Sequence, residues 1–174
     1  MTGSSNTKPF GKWFQIRWAE RLGDPEHPYL IRWTFIIFGF SIRIHHWLRS
    51  DDRRYFHDHS SDFISIVMRG WYCNVVPIDP DLLPEGNSRA VPAFGLFGPH
   101  KWFRLRDAVW FSKAEQRHYL DIPRSGAWTL LIEGKKYHKW GFYVPRSGEH
   151  KVRKMRPLRY FHKFGIAQAD PYYQ

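Results

Sequence analysis

The sequence predicts an all-β domain, an antiparallel sandwich or barrel. Short runs of alternating or continuous apolar residues recur along the chain, with Gly, Pro, Asp and Ser between them. That is the pattern of strands joined by turns. Aromatic residues make up 18% of the 174 positions, with nine Trp, nine Tyr and fourteen Phe. Such a composition suits a β-rich core or a stacking surface. A chain of this length forms one domain that buries roughly two-thirds of its unfolded surface.

In chain order, residues 1–9 read as a disordered lead-in. Phe10, Trp13, Phe14, Trp18 and Leu22 then recur at spacings of three and four, which predicts a short N-terminal helix ended by Gly23-Asp24-Pro25. Residues 29–37 and 38–48 read as two strands bending at Gly39. The second alternates Phe40, Ile42 and Ile44 against Ser41, Arg43 and His45, a half-buried pattern. A charged turn over 49–54 leads to Phe56-His57-Asp58-His59, and 63–68 is apolar except for Ser65. Residues 71–76 continue as a paired strand after Gly70. The stretch 77–99, with five prolines, is the least regular part. Further strands are expected over 101–106, 108–112, 117–122, 127–133 and 140–144. The three units are therefore the lead-in 1–9, a barrel domain 10–145 and a basic, aromatic-rich extension 146–174.

The chemistry centres on His57 and His59. A strand sends alternate side chains to one face, so the two imidazoles lie together while Asp58 faces away. Neutral ring nitrogens are common ligands for borderline metals. With ten histidines in the chain, chance alone gives ~0.6 His-x-His pairs, so the strand context carries the assignment.

A net charge of +11 implies attraction to polyanions or phosphorylated substrates. Arg153, Lys154, Arg156, Arg159 and Lys163 interleave with Tyr160, Phe161 and Phe164 in the tail, a composition that meets phosphates and stacks bases. Nucleic acid is thus an expected partner of the tail. The lone Cys73 cannot form an internal disulfide, and residues 34–42, the most apolar run, are too short to cross a bilayer. A cytoplasmic protein without a membrane partner is expected.

His57-Asp58-His59, an apolar strand ending at Gly70 and a later His118 resemble the two sequence motifs of the cupin superfamily. Arg49-Ser50-Asp51, Ala114-Glu115, Trp128-Thr129-Leu130, Gly134 and Trp140-Gly141-Phe142-Tyr143 extend this. Together they are similar to a small family of cupin-like proteins common in bacteriophage genomes, over roughly residues 20–145. For a phage-encoded protein the compartment is the host cytoplasm.

The resemblance implies a cupin-type jelly roll (double-stranded β-helix) with a metal at its mouth, held by His57, His59 and His118. Cupins usually add a Glu; here Asp62 stands nearest and is the candidate fourth ligand. Fe(II) is the first expectation, with Zn, Mn or Ni as other divalent ions. Tyr72, Glu115, Arg117 and Tyr143 are candidate catalytic residues at the pocket rim, and Arg104, Arg106 and Arg117 candidates to hold an anionic substrate. Three readings stay open: a dioxygenase-like enzyme for a small anionic or nucleotide-type substrate, a non-catalytic cupin binding nucleic acid or a small ligand, and a metal-free sugar-nucleotide epimerase using His118 with Asp121. Pairing into a homodimer is also expected from the resemblance.

Overall fold

The computed structural model describes residues 6–10, 13–24, 26–51, 55–77, 100–145, 152–157, 159 and 163. The runs of β-branched and aromatic residues form twelve strands there. In chain order they are β1 (Asn6–Phe10), β2 (Phe14–Gly23), β3 (Pro28–Ile37), β4 (Phe40–Trp47), β5 (Phe63–Gly70) and β6 (Tyr72–Val76). They continue with β7 (His100–Arg104), β8 (Val109–Ser112), β9 (Tyr119–Asp121), β10 (Ala127–Glu133), β11 (Phe142–Pro145) and β12 (Val152–Met155).

One sheet has seven strands in the order β1-β2-β3-β4-β10-β5-β8, all antiparallel. β10 returns from far along the chain to sit between β4 and β5, the interleaving of a jelly roll rather than a simple meander. A three-stranded sheet, β7-β6-β9, and a ribbon, β11-β12, complete the β-structure. Residues 56–58 stitch these smaller parts together. His57 forms a bridge to His118 on one side and to Phe142 on the other. The fold class is thus all-β and antiparallel, as the sequence predicts.

The expected bend at Gly39 is a tight hairpin. Phe38 (φ 50°) and Gly39 (φ 86°) both take the left-handed conformation that a two-residue turn of matching twist requires. The main apolar core is built from Leu30, Trp47, Val67, Tyr72, Leu120, Ile122 and Ala127.

Two expectations are corrected. The predicted N-terminal helix is strand: β2 runs through it and pairs with β1 and β3. Phe14, Trp18 and Leu22 are four apart, an even spacing that suits a period of two as well as 3.6. A bulge between Arg17 and Glu20, with Ala19 at φ 50°, shifts the phase part-way. Register with β3 decides the matter. The tail is not wholly irregular either, since β12 pairs with β11. β1 likewise places residues 6–9 of the lead-in in a sheet. Residues 78–99 and most of 146–174, including Tyr160, Phe161 and Phe164, lie outside the described residues.

The alternation along β4 is inverted relative to the usual rule. Ser41, His45 and Trp47 are buried, while Phe40 and Ile42 are 53% and 43% exposed. The polar set of this strand faces the barrel interior, and the apolar set faces outward.

Candidate metal centre

The backbone of His57 exchanges both hydrogen bonds with His118, each 2.9 Å. The Asp58 N–H donates to Gly141 O and the His59 N–H to Ala114 O. This pairing sets the three rings side by side. One ligand nitrogen from each of His57, His59 and His118 falls within a 4.8 Å group. Ring centroids lie 5.4, 5.0 and 4.8 Å apart for the 57–59, 57–118 and 59–118 pairs.

The electrostatics suit metal ligation. His118 Nδ1 donates to Asn74 Oδ1 at 2.6 Å, so the proton sits on that nitrogen and Nε2 presents its lone pair. That Nε2 lies 2.6 Å from His59 Nε2. Burial first, and then the neighbouring imidazoles, push both pKa values well below the usual 6.5. His57 and then Arg43 add to the effect at His59. Both rings are therefore neutral at pH 7, the form that binds metal. The Asp51 carboxylate stands 3.8 Å from His57 Nε2. Three imidazoles converging in this way, those of His59 and His118 neutral, fit a borderline divalent ion such as Fe(II), Zn, Mn or Ni.

Asp62 does not join the group. Its carboxylate accepts hydrogen bonds from Ala114 N–H (2.8 Å), Tyr137 O–H (2.6 Å) and Lys113 Nζ (3.1 Å). Tyr137 is the main cause that holds its pKa at about 2. No bulge at residues 59–62 turns it towards the rings; it ties the strap 113–114 and the loop at Tyr137 to the barrel mouth instead.

The other candidates scatter. Tyr72 is fully buried in the core, with Ser65 as hydrogen-bond partner and a pKa raised by burial. Glu115 is exposed, 3.5 Å from Tyr137 Oη and 4.0 Å from His138 Nδ1. Tyr143 donates its O–H to Asp58 Oδ2 at 2.7 Å, and burial with that bond pushes its pKa up to about 12. Asp58 lies between the two ligands but on the opposite face, so Tyr143 and the Arg117 guanidinium stacked 3.7 Å above its ring belong to that far side. Arg104 stacks on Trp110 and Arg106 is solvent-exposed beside Asp107. The proposed His118–Asp121 dyad is not formed. Three positions apart on a strand, the two side chains point oppositely, and Asp121 accepts from Ser50 Oγ at 3.0 Å.

Three residues that sequence reasoning passed over matter here. Asn74 sits in a run read only as strand, with nothing to distinguish it. Asp58 is expected to face away, yet not to be 0% exposed and to accept from Gly141 N–H, His138 Nε2, Tyr143 O–H and Lys154 Nζ. His45 is buried on β4 next to Arg43, whose charge bears on His59.

No protein-family model and no curated protein matches the chain. Among solved structures, the chain is similar to hydroxypropylphosphonic acid epoxidase from S. wedmorenis at 10% identity and TM-score 0.43, covering 66% of this chain and 56% of that one. A structure of Fe(II) HppE gives 7% identity and TM-score 0.48 over 77% and 66%. A mutant of Bacillus subtilis oxalate decarboxylase OxdC gives 10% and 0.44 over 71% and 29%. The chain thus spans less than two-thirds of each of these proteins.

No helix among the described residues is long and apolar enough to cross a membrane.

Proposed function

We propose that the protein is a metal-dependent, cupin-type enzyme with dioxygenase-like chemistry, acting on a small anionic or nucleotide-type substrate at the three-His centre. One observation carries this reading: His57, His59 and His118, 59 positions apart between the last two, converge with Asn74 fixing the tautomer of His118. A bound divalent ion, Fe(II) first, supplies Lewis-acid and redox chemistry at open positions that three ligands leave.

The chain's own residues do the rest. Asn74 holds the His118 proton away from the centre. Phe63 and Phe142 pack against His59 and His57 at 4.7 and 5.7 Å, fixing the rings and excluding water from that side. Asp58 and its donors hold the backbone between the two ligands from behind.

Metal analysis of protein purified without chelator, alongside His57→Ala and His118→Ala, tests the centre. Stoichiometric metal in wild type and loss in both variants is expected; equal trace metal in all three refutes it. Oxygen uptake by the Fe(II)-loaded protein with candidate anions then separates an enzyme from a binding protein. The tail's affinity for nucleic acid is a second proposal supported by charge alone, and is read from a steep salt dependence of binding.

A further inference from the structure

The inner face of the seven-stranded sheet carries a charged cluster that the three-His centre does not use. Arg32 Nε donates to Glu20 Oε2 at 3.0 Å, and Arg43 Nη2 lies 2.7 Å from Glu133 Oε2, which also accepts from Ser41 Oγ. Arg17 stands 3.8 Å from Glu20. Lys136 is close enough that, after burial, repulsion from Arg43 is the next cause lowering its pKa. Four cations, Arg17, Arg32, Arg43 and Lys136, thus face two carboxylates, Glu20 and Glu133. Arg32 and Arg43 are held where solvent screens them weakly, and Arg17 and Lys136 stand nearer the surface.

The unmet hydrogen bonds lie in the same place. His45 is 5% exposed, and neither of its ring nitrogens has a hydrogen-bond partner among the described residues. Arg43 Nε and Arg17 Nε are buried and equally without one. Buried donors left unpaired are costly, and native proteins keep few of them. The cluster adjoins the metal centre: Phe63, whose ring lies 4.7 Å from that of His59, is the cross-strand partner of Glu133, and Glu133 holds Arg43. Its more exposed members, Arg17 and Lys136, mark the side open to solvent.

We propose that Arg17, Arg43, His45 and Lys136 form an oxyanion subsite, which takes the carboxylate or phosphate end of a substrate whose other end reaches the three histidines. Guanidinium donors match either group. Placed on β2 and β4, the subsite fixes the acidic end on rigid strands. The idea deepens the enzymatic reading and rests on it for the identity of the ligand, but its binding test stands apart.

Thermal melting of the full chain is followed with inorganic phosphate or succinate against chloride at equal ionic strength. The variants are Arg17→Gln/Lys136→Gln and the charge-balanced Arg43→Gln/Glu133→Gln, with metal stoichiometry measured on each. Wild type is stabilised by at least one anion, and both variants need about tenfold more of it. Metal content stays unchanged. Stabilisation no greater than that by chloride, or variants that respond like wild type, overturns the subsite. A protein that binds anion here but no metal keeps the subsite and loses the enzyme; succinate against phosphate decides the acidic group.

Discussion

The two faces of one sheet differ more than the two ends of the barrel. Facing inward, β2, β3, β4 and β10 present Glu20, Arg32, Thr34, Arg43, His45, Thr129 and Glu133; facing outward they present isoleucine, leucine and aromatic rings. Strand alternation tells which residues share a face, but not which face is inside. Here part of the inner face is polar, beside the apolar core of Leu30, Trp47 and Ala127, and its carboxylates are met by ion pairs. The difference teaches that a buried polar face marks the place where the fold gives up core packing for chemistry.

The sharpest way to break this contrast is to remove one partner of an inner pair. Glu133→Ala leaves Arg43 buried without its carboxylate and is expected to cost about 3 kcal/mol in urea unfolding, whereas Ile132→Ser next to it on the outer face costs under about 0.5 kcal/mol in the monomer. Equal losses would show the two faces to be equivalent. Asn74→Ala frees the His118 tautomer; metal affinity by titration is expected to drop about 10- to 100-fold, with the fold retained by circular dichroism.

A smaller effect separates neighbours in sequence. His45 points inward and burial holds its pKa well below 6.5; His46 points outward, stacked 4.1 Å from Trp128, and is lowered by partial burial. NMR titration should show His46 protonating first as pH falls, with His45 following at lower pH. The linkage has a definite sign. A histidine depressed in the folded state binds its proton more readily when unfolded, so stability is full above about 6.5 and declines as pH falls below it. His45→Phe is expected to flatten that decline; an unchanged slope would remove His45 from the account.

Much of this was legible in the sequence. Strands β3, β4, β5 and β10 announce themselves by length, composition and bounding turns, and the spacing of His57 and His59 places both on one face. The helix expected over 10–22 failed because four-residue spacing fits both periods, and only pairing with β3 resolves it. Asp62 was ambiguous by a single residue of phase. Asn74 carries no local signal at all, since a hydrogen bond to a ring 44 positions away exists only once β6 and the His118 segment are neighbours. The inverted face was invisible for the same reason: whether Arg43 is inside depends on Glu133, which lies on a strand formed much later in the chain.

Asp58 has one further consequence. Its carboxylate is buried on the face opposite the His57 and His59 rings, and Lys154, on β12, supplies a cation against it. During translation every imidazole of the centre emerges from the ribosome before that lysine does. Until it arrives, the peptide linking the rings carries an enclosed anion lacking that counter-ion. A chain cut short ahead of β12 thus keeps His57, His59 and His118 but lacks the cation that meets Asp58 behind them.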